Sequence, residues 1–489
     1  MAFGLLLPLA FLFPRVQPTP TINSLASAEQ TQVGDIAMKR AHGAVQPGIK
    51  WGPFTARIPF IHVKLEWQEF VQGLLVSAAT GMALVPILTA YFGLSFEEAV
   101  ACSMIHTTLI ISSVFVFGEP YAPGWITPVL PLVLAFVLKG YELPVERFQA
   151  MAALAINFSA LLLIFGVTGI GKKLMEWVPQ VLKAGMIMGA AIAAFKQVFV
   201  DDAPRFLNEQ PITITIACAV CLIFMFSIPM ALAKQKYKPL AILASLGLLP
   251  GFIVAAIVGP LVGEVSYEIE WGIAIPPFAD AIEKTSPFFI GWPSLDMLQA
   301  AIPLALVAYV LLFGDWVTGN AVIREAQSER PDEAIDINPT RSHLSVGIRN
   351  ALLALVSPMF PTQGALWTGM HVAVVQRWKE GRDQMDSLMG GIGSINMMGM
   401  PFIYFLLPVL TGLKPLMGVA LSLTLVLTGF ACAYVAMEMV KNSTERGTIV
   451  LIGIALALFS PWIGLAIAVL ATLTLVGWDK PTETAEQES

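Results

Sequence analysis

Apolar stretches separated by short polar breaks follow one another from residue 66 to residue 478. A helix needs about 20 apolar residues to cross the hydrocarbon core, so this pattern predicts about fourteen transmembrane segments, about seven per half. The predicted segments of the first half are 66–92, 95–118, 122–139, 147–171, 177–199, 211–233 and 238–262. Those of the second half are 297–319, 344–357, 360–376, 386–410, 414–439, 447–460 and 462–478. The predicted fold class is therefore all-α integral membrane.

Two PxxP breaks interrupt this pattern in corresponding places. They are 120–123 (Pro-Tyr-Ala-Pro) and 358–361 (Pro-Met-Phe-Pro), and they lie 238 positions apart. Proline removes a backbone donor and breaks a helix. At membrane depth a non-helical backbone survives only inside protein or beside a water-filled cavity. Paired breaks in two halves that enter the membrane from opposite sides predict a 7+7 inverted repeat with a binding site at the breaks.

Composition supports the membrane prediction and limits the chemistry. Apolar residues make up 56% of the chain and charged residues 13%, the mean hydropathy is +0.74 and the formal net charge is -6. The chain has no block of basic residues of the kind that binds nucleic acid, so no nucleic-acid partner is predicted. The lipid bilayer is the expected partner. Cys218 and Cys221 have zinc-like spacing without a second ligand pair, and the five histidines are scattered. We therefore predict no metal, no cofactor and no enzymatic activity.

The basic residues predict how the chain is oriented. With the N-terminus inside, the cytoplasmic loops hold thirteen Lys and Arg and the opposite loops hold six. This bias predicts a multi-pass protein of the cell membrane, a bacterial inner membrane, with both termini cytoplasmic. Residues 1–63 are predicted to be a cytoplasmic tail with an interfacial segment, 263–296 an acidic external loop, and 479–489 a C-terminal tail.

Several stretches resemble the nucleobase permeases, which transport uracil, xanthine and ascorbate. Residues 72–75 (Gln-Gly-Leu-Leu), 83–86 (Ala-Leu-Val-Pro) and 93–99 resemble the first span of that group. Residues 178–189 are similar to its fifth span, and 350–362 are similar to its junction between spans nine and ten. The chain thus resembles a divergent bacterial branch of this group, whose fold is shared by sulfate permeases and bicarbonate exchangers.

The resemblance implies a division into two moving parts. A core domain (64–171 and 297–410) would move against a gate domain (172–262 and 411–478), and the gate domain is a common dimer contact in this fold. Spans 3 and 10 would each begin as a short extended piece and continue as a half-helix. The start of a half-helix offers free N–H groups and a positive dipole end, which attract an anion or a carbonyl group.

On this chain the two half-helix entrances are 124–127 and 362–365. The candidate substrate-binding residues are Gly124, Trp125, Thr127, Thr362, Gln363, Gly364, Trp367, Thr368 and, on the first span, Gln72. Glycine allows a close approach between the backbone and a ligand, while Thr and Gln supply hydrogen bonds. The alternative is that the tryptophans are interfacial belt residues and that the prolines only end helices.

Ionisable residues within spans are the candidates for ion coupling. Asp315, late in span 8, and His106, in span 2, are the predicted coupling residues; the alternative for Asp315 is a cap on the end of its helix. Asn157, His371 and Asn396 are weaker candidates that can simply bond across helices. Arg349 is predicted to extend toward the inner surface.

Two departures from the nucleobase pattern affect the choice of substrate. Gly73 replaces a histidine that is usual in the first span, and Leu366, Trp367 and Thr368 replace the usual acid and asparagine of span 10. We therefore predict a secondary active transporter, coupled to protons or sodium, that moves a small polar or anionic solute by an elevator-like motion. The alternatives are a channel or uncoupled facilitator for a small anion, and a nucleobase permease proper.

Overall fold

The computed structural model describes residues 40–237, 240, 248–359, 362–397 and 402–478. Parts of three predicted features lie outside the described residues. These are residues 1–39 and 479–489 of the two tails, 238–239 and 241–247 of the seventh segment, and 360–361 of the second PxxP break.

Helices dominate the described chain. Those of the first half are α1 (Trp67–Thr80), α2 (Val85–Tyr91), α3 (Phe96–Phe115), α4 (Leu130–Gly140), α5 (Pro144–Thr168), α6 (Ile170–Trp177), α7 (Gln180–Lys196), α8 (Pro211–Phe226), α9 (Ile228–Lys236) and α10 (Leu249–Leu261). Those of the second half are α11 (Phe278–Thr285), α12 (Pro287–Ile290), α13 (Leu295–Gln327), α14 (Pro339–Val356), α15 (Thr368–Lys379), α16 (Leu388–Met397), α17 (Leu407–Leu413), α18 (Met417–Glu438), α19 (Ser443–Leu458) and α20 (Pro461–Leu475). Tight 3₁₀ turns at Thr127–Val129, Phe402–Phe405 and Lys414–Leu416, and a π-helical turn at Gln197–Asp201, adjoin them.

The helix bounds differ from the predicted segments in three places. The first predicted segment is two helices, α1 and α2, joined by a turn at 81–84. The sixth is bent by 62° between α8 and α9, where the Ser227 side chain caps the new helix and proline stands near its start. The eighth, predicted to end at 319, continues in α13 to Gln327.

By length and composition, five helices of the described chain are able to cross a membrane, or six if the bent pair α8 and α9 is one span. Short apolar helices at Thr127–Gly140, Leu249–Leu261 and Pro461–Leu475 accompany them. A segment that is broken into two short helices does not contain one helix long enough to span the bilayer. The count of about fourteen segments therefore stays a prediction.

Two groups of helices pack closely in the described chain. Helices α13 and α14 pack against α5, and α15 packs against α13. Separately, α7 packs against α18 and α19, while α8 packs against α10 and α18. The first group lies within the predicted core (64–171 and 297–410) and the second within the predicted gate (172–262 and 411–478). Because α4 and α13 also contact α7, the division into two domains stays a prediction.

Residues 40–63, which belong to the predicted tail and interfacial segment, pack against the ends of membrane helices. Strand β1 (Ala44–Val45) pairs in parallel with β4 (Glu333–Ala334), and β2 (Ile49–Trp51) forms a hairpin with β3 (Phe54–Ala56). Arg40 lies 2.9 Å from the Asp332 carboxylate and donates to the Asp386 carbonyl. Because Arg40 is 4% exposed, this polar residue is part of the interior.

The predicted external loop also contains secondary structure. Two short helices, α11 and α12, lie within 263–296. Ile273 pairs with Leu406 in an isolated antiparallel bridge. Lys284 forms an ion pair with Glu98, at 2.7 Å, which ties this region to the start of α3.

Candidate functional site

The segments that follow the two PxxP breaks meet in a short antiparallel contact. Trp125 and Gln363 form an isolated β-bridge between residues 238 positions apart in the chain. Three backbone hydrogen bonds flank the bridge: Gly364 N to Gly124 O at 2.9 Å, Ile126 N to Thr362 O at 3.3 Å, and Trp367 N to Ala122 O at 2.7 Å. The structure thus brings together the candidate residues of both predicted entrances, over 124–127 and 362–367.

Glycine is required on both sides of this contact. A Cβ on Gly364 would lie 2.9 Å from the Ile126 nitrogen and 3.0 Å from the Gly124 oxygen. A Cβ on Gly124 would lie 3.0 Å from the Cβ of Trp367. Larger residues at either position would force the two backbones apart, because backbone atoms cannot yield as a flexible side chain does.

A helix begins directly after each arm of the bridge. The turn at Thr127–Val129 leads into α4, and α15 begins at Thr368. Neither Ile126 nor Trp367, the residues at the N-cap positions, caps its helix with a side chain. The N–H groups of the first turns lack a side-chain cap and carry the positive ends of two helix dipoles, so the bridge region favours negative charge.

Two other helices hold Gln363, α14 through two side chains and α3 through a backbone carbonyl. Arg349 Nη1 donates to Gln363 Oε1 at 3.0 Å, and Gln363 Nε2 donates to the carbonyl of His106 at 3.0 Å. Asn350 accepts from the Gln363 N–H and donates to its carbonyl, both at 3.0 Å. Gln363 is 0% exposed, so its hydrogen-bonding groups are all accounted for by protein. It is a rigid part of the bridge.

Arg349 lies under the second entrance. Its Nη2 donates to the Gly364 carbonyl at 2.8 Å, and the residue is 0% exposed. The prediction that Arg349 extends to the inner surface is therefore wrong. The face of α14 that carries Arg349 packs inward, where its two Nη atoms donate to the amide oxygen of Gln363 and the carbonyl of Gly364. Sequence reasoning missed this residue; its position within a short apolar segment was the available signal.

Three polar atoms around the bridge have no partner in the part of the chain that the structure describes. They are Thr362 Oγ1, Thr368 Oγ1 and Arg349 Nε. A buried polar atom without a hydrogen bond is costly, and such atoms in a native protein call for a reason. All three are able to donate a hydrogen bond, so together they suit a ligand that accepts hydrogen bonds.

The two candidate tryptophans and His106 lie around the same contact. Trp125 and Trp367 are both half-buried. The His106 ring centroid is 6.0 Å from that of Trp125, and His106 is 1% exposed. Thr127 is also half-buried and begins the turn into α4. Trp125, Trp367 and Thr127 stay candidates for contact with a solute, and His106 stays a candidate for ion coupling.

His371 connects the first break to α13. Its Nδ1 accepts from the Ala122 N–H at 3.3 Å, which leaves Nε2 to donate to the Gly319 carbonyl at 3.3 Å. Nearby, the Tyr121 hydroxyl donates to Asn320 Oδ1 at 2.6 Å. His371 is therefore fixed as one neutral tautomer between two backbone groups, an arrangement that suits a structural contact between breaks and helix.

Asp315 is buried but separate from the bridge. It is 5% exposed, and α13 continues for three turns beyond it, which rules out the alternative that it caps the helix end. Its carboxylate accepts no hydrogen bond from a described residue. Asp315 lies one turn before Gly319 on α13.

Gln72 does not join the bridge. It is half-buried on α1 and makes no hydrogen bond to the described residues of either entrance. Its neighbour Gly73 has a clear packing role, because a Cβ there would overlap the backbone oxygen of Ile395 on α16. The close contact of α1 with α16 explains why a histidine has no room at this position.

Comparisons with known proteins identify the fold. No protein-family model matches the chain, and no curated protein matches its sequence. Solved structures do match. The anion transporter murine Solute Carrier 26 family member A9, in the inward-facing state, matches with TM-score 0.50, 13% identity, and coverage of 83% of this chain and 67% of that chain. The transmembrane domain of BicA, a cyanobacterium bicarbonate transporter, matches with TM-score 0.50, 12% identity, and coverage of 83% and 97%.

The chain shares their transmembrane fold. A further structure of SLC26A9 matches with TM-score 0.50, 14% identity, and coverage of 84% of this chain and 64% of that one. The chain spans about two thirds of the SLC26A9 length and nearly all of the BicA transmembrane domain. These matches confirm the predicted fold group and a multi-pass membrane protein. At these identities they show the fold alone.

Proposed function

We propose that the chain is a secondary active transporter of a small anion, which binds at the Trp125–Gln363 bridge. The observation that carries this proposal is the buried guanidinium of Arg349 below the second entrance, held at 2.8 Å from the Gly364 carbonyl. Two uncapped helix starts and three unpartnered donors adjoin it. Positive charge and donors in a water-poor site select an anion over a neutral solute.

Acidic side chains at the bridge would argue for a different substrate. Glu119, just before the first break, is already neutralised by a buried ion pair with Arg341 at 3.0 Å. A nucleobase presents ring N–H groups that need acceptors, whereas the first residues of α15 supply threonine and backbone N–H groups. The transported anions named for SLC26A9 and BicA, an anion transporter and a bicarbonate transporter, agree in class with this site.

The division of the helices into two packed groups supports an elevator-like mechanism. The bridge and Arg349 belong to the group formed by 64–171 and 297–410, the proposed core. The other group, 172–262 and 411–478, is the proposed gate. Asp315 is buried on α13, within the proposed core. A buried carboxylate within a membrane helix is suited to bind a proton or sodium ion that drives the movement.

A ligand screen tests the proposal. Purified protein is heated in the presence of bicarbonate, sulfate, chloride, a dicarboxylate, uracil or xanthine. A ligand at one hundred times its Kd stabilises the folded state by about 2.7 kcal/mol, so the transported anion should raise the Tm while the nucleobases leave it unchanged. Stabilisation by uracil or xanthine alone would contradict the anion site and favour a nucleobase permease.

Transport in liposomes separates a coupled transporter from a channel. We expect accumulation of the stabilising anion against its gradient when a proton or sodium gradient is imposed. Collapse of that gradient should stop accumulation. Flux that continues unchanged after the collapse would identify an uncoupled facilitator or channel on the same fold.

A further inference from the structure

A cavity of about 470 Å³ lies at the junction of the two helix groups, away from the bridge. Residues 85–96 line it from the proposed core, and residues 205–210 and 414–418 line it from the proposed gate. Any sliding of one group against the other has to change the contacts around this cavity. Several contacts join the two groups beside it.

Tyr91 and Asp202 make the most direct of these contacts. The Tyr91 hydroxyl, at the end of α2, donates to Asp202 Oδ1. Gln197 Nε2 donates to Asp202 Oδ2 at 2.9 Å, so both carboxylate oxygens accept a hydrogen bond. Asp202 is 2% exposed. A hydrogen bond to a buried carboxylate is stronger than one between neutral groups, and the contact therefore resists separation.

Arg205 holds the ring of the same tyrosine. Its guanidinium carbon lies 4.2 Å from the centroid of the Tyr91 ring, and its Nη1 donates to the Ala90 carbonyl at 3.0 Å. Lys414 makes a similar contact with Phe96, at 4.9 Å from the ring centroid. Two cations of the gate thus lie on two aromatic rings of the core, and each such contact contributes further attraction.

The backbone before Asp202 is unusual. Helix α7 ends in a π-helical turn, Gln197–Asp201, and the Asp202 N–H donates to the Gln197 carbonyl at 2.7 Å. Single π-helical turns are rare and occur often at functional sites. Here the extra residue in the turn brings Gln197 and Asp202 together on the side facing Tyr91. The aspartate is thereby placed by the backbone as well as by its partners.

We infer that Tyr91, Asp202 and Arg205 form a latch between core and gate, which has to open for the core to move. This inference rests on the proposed elevator-like function. The latch closes the gap between α2 and the end of α7 and holds the core in the position that the structure shows. Weakening it shifts the population toward states in which the two groups have separated at the cavity.

Cysteine labelling measures this separation without a known substrate. Thr89 lines the cavity, and the native cysteines Cys102, Cys218, Cys221 and Cys432 are all buried. We would place a single reporter with T89C and follow its reaction with a water-soluble maleimide in the full-length protein. Loss of one hydroxyl in Y91F should increase the labelling rate about fivefold, the effect of one net hydrogen bond. D202N should act in the same direction.

Tyr141→Phe is the matched control. Tyr141 packs on Phe136 with ring centroids 5.7 Å apart and makes no contact with Asp202. Its loss should leave labelling unchanged. Equal labelling of wild type, Y91F and D202N would overturn the latch, even with normal anion uptake in liposomes. Faster labelling in both variants of a protein that transports no anion would keep the latch and reject the proposed function.

Discussion

Arg349 Nη1 donates a hydrogen bond to Gln363 Oε1 across 3.0 Å, and both side chains are 0% exposed. The pair joins α14 to the second arm of the bridge. It also places a positive charge below the site without a carboxylate bonded to it. An arginine buried in this way costs free energy, and a bound anion would offset part of that cost.

Removal of this charge should abolish anion binding. R349Q keeps a donor that reaches toward Gln363 but loses the guanidinium charge. We expect the affinity for the stabilising anion to fall at least about tenfold, since hydrogen bonds to charged groups contribute about 1.5 to 3 kcal/mol. Thermal-shift titration provides the measurement, and R324Q, at an exposed position on α13, is the control. Equal loss of affinity in both variants would indicate a general charge effect instead.

The bridge itself should be sensitive to one added methyl group. G364A would place its Cβ 2.9 Å from the backbone of Trp125 and Ile126. Overpacking of this kind costs about 1 to 3 kcal/mol, and the Tm should fall accordingly. G369A is the matched control, because a Cβ at this exposed position of α15 meets no atom within 4 Å. A neutral G364A would show that the two arms do not pack as closely as described.

The meeting of the two breaks was predictable because proline acts locally. Paired prolines stop a helix wherever they occur, and the corresponding positions in two halves indicate that the stops face each other. The hydrophobic pattern located α3, α5, α7 and α18 because it is also local. A long apolar run in a membrane protein forms a membrane-spanning helix.

The position of Arg349 was not predictable in this way. Whether it points inward or toward the surface depends on which face of α14 packs against α5, and no local pattern determines that. Residues 40–66 posed the same problem, since the partner of Arg40 is Asp332, 292 positions away. The end of α13 was misplaced because Asp315, Thr318 and Asn320 make the sequence locally polar although the helix continues.

Neutralising Asp315 should separate coupling from binding. D315N removes a buried carboxylate from α13, while the bridge and Arg349 stay intact. We expect gradient-driven accumulation in liposomes to be lost and the anion-induced rise in Tm to be kept. D296N, at an exposed position in the first turn of the same helix, serves as the control. Accumulation that persists in D315N would contradict a coupling role for Asp315.

The contact between residues 40–66 and the α13–α14 connection should depend on pH. Hydrogen bonds from Arg330, together with the nearby charges of Arg330 and Arg40, lower the pKa of Asp332 to about 2. The pKa of an aspartate in the unfolded chain is about 3.9, so this stabilisation is complete above about pH 4 and is lost as the pH falls through about 2.

D332N should destabilise the protein by about 2 kcal/mol at neutral pH. The difference in Tm from wild type should then shrink between pH 4 and pH 2. D383N, at an exposed loop position, should show no difference at any pH, and a D332N effect that stays constant with pH would contradict the assigned ion pair.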